Sequence, residues 1–194
     1  MASSSSSSSH RAGTPGEQES GDGSILYFAY GSNLSATQMR ERCPRSAAVG
    51  LARLLGQWTW VINERGFANV VAARAAGGDG AWGVLGVLYR LDARDAAALD
   101  ASEGVPWAYA RRFLAAAPVA PDARPPFAPD AHPLRVLVYV DAARTRPAAP
   151  RPKYVRRMNR GIDEAAARWG LPRPYVDAVL RPFIPEPGQS GESE

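Results

Sequence analysis

The hydrophobic positions of this chain change their spacing along its length. Residues 25–30 are apolar at every position, which predicts a strand buried on both faces. Short hydrophobic runs at 57–63, 67–72, 83–91, 111–117 and 135–141, bounded by turn-forming residues, predict further strands. From Lys153 the period becomes helical: Tyr154, Val155, Met158, Ile162, Ala165, Ala166 and Trp169 recur at three or four, and Gly170 ends the run. Residues 172–180 predict one more helix. Earlier, Ser35 with Gln38 reads as a capping box opening a helix that stops at Cys43, before Pro44. Asp92 reads as the N-cap of an Ala-rich helix through Ser102, closed by Gly104. Residues 118–133, rich in Pro and Ala, read as a long surface loop. Short strands with helices before, between and after them predict a single α+β domain.

Composition sets the limits of that domain. The chain has 194 residues, 45% of them hydrophobic, with five tryptophans, enough for one sizeable core. Residues 1–23 include seven consecutive serines and continue in Gly, Glu, Asp and Pro. They cannot bury enough apolar surface to offset ordering, so disorder is expected there. They also lack the apolar stretch of a secretory signal. Residues 187–194 are polar and expected to be a flexible tail, which leaves 24–186 as the folded domain. No segment approaches the roughly 18 unbroken apolar residues of a membrane span, so a cytoplasmic protein without a membrane partner is expected.

Two segments carry candidate chemistry. At the end of the first strand Gly31 lacks a Cβ, so the backbone can turn sharply and a ligand can come close. The amide groups of Gly31, Ser32, Asn33 and Leu34 are then expected to project as a concave donor array suited to a carboxylate or an oxyanion. An ordinary strand–turn–helix junction gives the same pattern. The second segment is Leu99-Asp100-Ala101-Ser102-Glu103-Gly104-Val105, followed by Tyr109 and Arg111. Glu103 falls in the last helical turn, where the macrodipole disfavours a carboxylate and raises its pKa. Desolvation by Val105 and Trp107 would raise it further. By residue type alone, a solvated surface glutamate is the commoner outcome.

The inventory of other reactive groups is short. The two histidines are His10, in the Ser-rich segment, and His132, in a Pro-rich stretch, which gives a Ser-His-Asp triad little to stand on. The single cysteine, Cys43, has no CxxC partner, so neither a zinc cluster nor an internal disulfide is expected. It reads as a packed small side chain. No P-loop or Rossmann fingerprint follows a strand. Arg156, Arg157 and Arg160 invite a nucleic-acid reading, but the formal net charge is only +4 and some of them read as lying on a solvated helix face. No nucleic-acid partner is expected. Trp58, Trp60 and Trp82 read as core or wall residues. A cofactor-free, metal-free enzyme with a carboxylate base fits this inventory.

Three segments in this order resemble the gamma-glutamylcyclotransferase family: residues 27–34, the Glu103-Gly104-Val105 element with Tyr109 and Arg111, and a late stretch. The late stretch runs from Pro152-Lys153-Tyr154 to Gly161, then Gly170-Leu171-Pro172 and Tyr175. The resemblance covers residues 25–185. It implies a small closed mixed β-barrel with flanking helices, no cofactor, and a homodimer. It also implies a small-molecule γ-glutamyl peptide substrate, converted into 5-oxoproline and a free amino acid. On the same ground Glu103 is implied as the acid/base. Tyr27, Phe28, Ala29, Tyr30, Gly31 and Ser32 are implied as the substrate-cradling loop, with Asn33, Leu34 and Tyr109 beside it. Tyr154 is implied as a further substrate contact, although its place on the apolar helix stripe suits a packed aromatic equally well.

The Gly-Ser-Asn-Leu form of the loop looks more like the branch acting on γ-glutamyl amino acids than the branches specific for glutathione or γ-glutamylamines. Two rival readings stand beside it. One is a non-catalytic module that binds γ-glutamyl ligands. The other is a relative with a different substrate range, either a hydrolase or amidotransferase-like protein acting on other γ-glutamyl amides or a relative acting on γ-glutamyl amines or glutathione.

Overall fold

In the computed structural model, which describes residues 23–73, 82–127 and 132–188, the apolar run forms β1 (Ile25–Ala29). It lies between β5 (Leu85–Leu91), which is antiparallel to it, and β7 (Leu134–Val140), which is parallel. A strand apolar on both faces belongs where both of its ladders are filled. β5 pairs onward with β2 (Ala47–Leu54), β2 with β6 (Ala110–Pro118), and β6 with β7. The result is a closed mixed barrel in the order β1-β5-β2-β6-β7. Flanking it are α1 (Ala36–Arg42), α2 (Ala93–Glu103), α3 (Pro152–Trp169) and the short α4 (Arg173–Tyr175), which runs into a wider turn at Val176–Leu180. This is the α+β, single-domain, closed-barrel class expected. Residues 1–22 of the expected disordered segment, 189–194 of the C-terminal tail and 128–131 of the long loop lie outside the described residues.

β2 is the strand that the hydrophobic pattern misses. Its sequence, Ala47-Ala48-Val49-Gly50-Leu51-Ala52-Arg53-Leu54, has low β propensity, and a register shift between Ala48 and Gly50 breaks the alternation. It exists because both of its edges are paired and because Leu51, Ala52 and Leu54 reach the core. Tertiary pairing overrides weak propensity here.

β3 (Trp58–Ile62) and β4 (Ala68–Ala72) form a separate antiparallel ribbon outside the barrel. Buried polar contacts fasten it down: Asn69 donates to the Asp141 carbonyl at 2.8 Å and accepts from the Asp141 amide at 3.0 Å. The Trp60 indole donates to the Tyr30 carbonyl at 2.9 Å. Trp60 is therefore a core residue, but of the ribbon and not of the barrel wall, while Trp58 and Trp82 pack half-buried against the same core. The ribbon covers the end of β1, which is where the candidate site lies.

Candidate active site

α2 brings its last residue, Glu103, to the rim of a cavity of about 270 Å³ at the end of β1. Asp92 caps the helix by accepting the Asp95 amide at 2.8 Å. Gly104 ends it with φ 67° and ψ 40°, a left-handed conformation that costs glycine little. Through that turn Val105 donates back to the Asp100 carbonyl at 3.0 Å, so the helix end is satisfied internally. The Tyr139 hydroxyl donates to Asp100 at 2.7 Å and pins the same turn to β7. Glu103 is thus held on rigid backbone.

Its two oxygens meet different surroundings. Oε1 accepts from the Asn33 side-chain amide at 3.2 Å and from the Arg42 guanidinium at 3.2 Å. Oε2 makes no hydrogen bond among the described residues. Burial, the dominant cause, pushes the Glu103 carboxyl above its ordinary pKa, against the opposing pull of Arg42, Asn33, Arg157 and Arg65. Of the two residues expected to desolvate it, Val105 is half-buried against the core and Trp107 is not buried at all. Trp107 is 86% exposed, so it shields nothing. The cavity walls are instead phenolic: Tyr27, Tyr30, Tyr109 and Tyr154 all line it. Burial raises the pKa of each of these tyrosines, so all four are neutral near neutral pH.

The loop after β1 departs from the expected row of amides. Residues Ser32–Leu34 form a single tight helical turn, in which the Leu34 amide donates to the Gly31 carbonyl at 2.9 Å. The Ser32 amide donates to the Tyr154 hydroxyl at 3.3 Å. Of the four amides, Gly31 and Asn33 remain as candidate donors to a ligand. Gly31 itself has φ −111°, a conformation open to any residue. What requires glycine is space: a Cβ there would lie 2.8 Å from the Tyr154 hydroxyl and 3.3 Å from the Ala68 Cβ.

Tyr154 closes the cavity from α3. Its hydroxyl oxygen accepts the Ser32 and Ala68 amides, both at 3.3 Å, and neither contact uses its proton, so the hydroxyl keeps a donor to offer a ligand. The Tyr109 hydroxyl is spent on the Ala68 carbonyl at 2.7 Å. Three of the residues expected at the site do not line the cavity. Phe28, Ala29 and Leu34 are fully buried in the core, with Phe28 packed under Gly86 and Leu34 against Gly161 of α3.

Several residues that line or frame the cavity were not expected there from sequence. Gln38 was read as half of a capping box. Its backbone does use the Ser35 cap at 3.1 Å, but its side chain donates to Asn33 Oδ1 at 2.7 Å and Ser32 Oγ at 2.8 Å. The acid that completes the α1 cap comes from α3: Glu164 accepts from Ser35 Oγ at 3.0 Å and from the Thr37 amide at 2.9 Å. Arg42 and Arg65 also line the cavity, and so does Arg157, which the sequence groups with a solvated helix face but whose guanidinium lies over the Tyr154 ring. Arg157 sits three residues after Tyr154 on α3, so helical spacing places both on one face, a signal that sequence alone carries. Arg65, on the β3–β4 turn, has no such signal. Arg111 faces away, paired with Asp100 at 3.4 Å. A second concavity of about 440 Å³ has mainly apolar walls, and its carboxylate, Asp141, is already paired with Arg144.

Among the described residues no cluster of His, Cys, Asp and Glu is arranged to hold a metal ion, and no helix is long and apolar enough to cross a membrane. Over 87 residues the chain is 32% identical to a mouse protein named gamma-glutamylcyclotransferase, a match covering 42% of this chain and 45% of that one. The matched stretch therefore spans less than half of the curated relative. Among solved structures, the fold is similar to a gamma-glutamyl cyclotransferase at TM-score 0.63 and 22% identity, over 88% of this chain and 94% of the other. It is also similar to an uncharacterized human protein at TM-score 0.63 and 22% identity (89% and 94% covered). YkqA from Bacillus subtilis matches at TM-score 0.60 and 22% identity, over 84% of this chain and 55% of that one. The family model described as gamma-glutamyl cyclotransferase, AIG2-like, matches residues 27–155, the span that holds the loop after β1, Glu103 and Tyr154, and the chain belongs to that family.

Proposed function

We propose that the protein is a cofactor-independent γ-glutamylcyclotransferase, converting γ-L-glutamyl amino acids into 5-oxo-L-proline and a free amino acid. One observation carries this reading: a desolvated carboxylate that lines the same cavity as Tyr154 has one oxygen fixed by Asn33 and Arg42 and the other without a hydrogen bond among the described residues.

The substrate's α-amine is an ammonium near neutrality, with a reference pKa of about 7.7–8.0, and cannot attack until it loses a proton. Glu103 Oε2 takes that proton, and a carboxyl pKa above the ordinary value brings the base nearer its working pH. The freed amine attacks the substrate's own γ-carbonyl carbon and forms the new C–N bond of a five-membered lactam. Charge collects on the carbonyl oxygen, for which the donors on offer are the Tyr154 hydroxyl and the amides of Gly31 and Asn33. Collapse breaks the bond to the departing nitrogen, which receives the first proton from Glu103; the freed carboxylate then takes the second proton from the positively charged ring nitrogen and passes it to the departing amine, so that two protons in all move from the α-nitrogen to the leaving group. The carboxylate is regenerated, and neither water nor a protein nucleophile is consumed. Because ring closure is intramolecular, the cavity acts mainly by folding the flexible glutamyl chain into a near-attack shape. We extend the same reading to residues 24–186 as the catalytic domain and to a cytoplasmic setting, as composition suggests, and to a homodimer, as the sequence resemblance implies.

Incubating the purified protein with a panel of γ-glutamyl amino acids and assaying products tests this. The expected result is 5-oxoproline and free amino acid in equal amounts. Release of glutamate in place of 5-oxoproline would make the protein a hydrolase, and no product from any member of the panel would leave only a binding module.

A further inference from the structure

The cavity holds more positive charge than the cyclisation uses. Arg42, Arg65 and Arg157 line it against a single carboxylate, Glu103. Arg42 is committed, donating to Glu103 Oε1 at 3.2 Å and to Asn33 Oδ1 at 3.1 Å. Arg65 and Arg157 form no salt bridge among the described residues. The Arg65 guanidinium lies over the rings of Phe67 and Tyr109, 5.5 Å from each centroid, and its Nη1 is buried without a hydrogen-bond partner among the described residues. The Arg157 guanidinium lies over the Tyr154 ring at 5.3 Å. Stacking on an aromatic face holds the plane of a guanidinium and leaves its edge N–H groups available. A buried donor without an acceptor costs free energy until a ligand supplies one, and a planar fork fits a carboxylate.

We propose that Arg65 and Arg157 form a two-carboxylate site. It selects γ-glutamyl α-amino acids, whose leaving group brings its own carboxylate, over γ-glutamylamines, whose leaving group has none. The identity of the substrate rests on the function proposed above; the pairing of charges does not. With the α-ammonium at Glu103 and Arg42 still paired, the glutamyl α-carboxylate and the leaving group's carboxylate match the two remaining guanidiniums. An amine leaving group leaves one guanidinium uncompensated in a partly desolvated cavity.

Two ligands that cannot cyclise isolate this effect from turnover. N-Glutaryl-L-alanine keeps both carboxylates of γ-glutamylalanine and lacks only the attacking amine, while N-ethylglutaramate lacks the second carboxylate as well. Calorimetric titration of the wild-type protein is expected to show at least about tenfold tighter binding of N-glutaryl-L-alanine. In the R65Q/R157Q variant the two affinities converge to within about twofold, and in R65K/R157K, which keeps the charges, part of the preference returns. Equal wild-type affinities, or an undiminished preference in a folded R65Q/R157Q protein, would overturn the proposal. If that double variant does not fold, R157Q alone decides, since an unchanged affinity for N-glutaryl-L-alanine overturns it too. A preserved preference without 5-oxoproline formation from γ-glutamylalanine would sink the proposed reaction and leave the two-carboxylate site standing.

Discussion

The side-chain amide of Asn33 donates to Glu103 Oε1 across 3.2 Å, joining groups 70 residues apart in the chain. Asn33 is itself fixed, donating to the Tyr27 hydroxyl at 2.9 Å and accepting from Gln38 at 2.7 Å. The consequence is a carboxylate whose orientation is set by the loop after β1. Oε1 takes both hydrogen bonds and Oε2 has none among the described residues.

Asn33→Ala removes a hydrogen bond that favours the ionised carboxylate, so the Glu103 pKa rises further. The acid limb of the kcat/KM profile is expected to move to higher pH, and kcat to fall about tenfold or more as the carboxylate loses its orientation. An acid limb that stays in place or moves to lower pH would contradict the role given to Asn33.

Glu103→Gln is expected to lower turnover by at least about 10²-fold while the protein stays folded. Unchanged turnover in a protein with native circular dichroism would remove Glu103 from the mechanism.

The same substitution has a signature in stability. Burial raises the carboxyl pKa above its unfolded value, so the folded state prefers the protonated form. The stability that Glu103 contributes is complete below the unfolded pKa and is lost as pH rises through the folded pKa. Glu103→Gln, which does not titrate, should therefore gain Tm relative to wild type at neutral pH, with the gain shrinking at mildly acidic pH. Melting curves showing a gain that is larger in acid would contradict the direction of the shift.

Gly31→Ala drives a Cβ to 2.8 Å from the Tyr154 hydroxyl. The cost is expected to be about 1–3 kcal/mol of stability, with a severe loss of activity. Tyr154→Phe removes the clashing oxygen, so the double variant should lose less stability than the two single variants added together. Strict additivity in chemical denaturation would show that the close approach is not what demands glycine.

Cys43 is fully buried, and burial pushes its thiol up to about 11, with Asp95 adding to the effect. A thiol reagent at neutral pH is expected to label it only as fast as the protein unfolds, and to label it promptly in denaturant. Rapid labelling of the native protein would place the thiol at the surface.

Legibility from sequence followed the range of the interaction involved. The α2 termini were readable at Asp92 and Gly104 because a cap depends on neighbours a few positions away. The α3 stripe was readable because helical period is a property of one segment, and Arg157 was within reach of the same argument. β2 was not, because Ala and Gly become a strand there only when β5 and β6 supply both edges. Gln38 was misassigned in part: its backbone obeys the local cap, while its side chain answers to Ser32 and Asn33. Trp107 was misassigned because apolar character does not say which way a side chain faces, and this one is 86% exposed.

Two kinds of information thus shaped this protein. Residue order alone specified the buried character of β1, the glycine-ended helix that carries Glu103 and the apolar stripe of α3, because each follows from side-chain size, backbone freedom and periodicity over a single segment. Which oxygen of Glu103 stays open, why Gly31 admits no Cβ, and which arginines face the cavity came from folding. Those features arise where β1, α1, α2, the ribbon and α3 converge, through contacts such as Ser32 with Tyr154, separated by 122 positions. Desolvation and steric exclusion act through space, and a linear pattern does not encode distances of that kind.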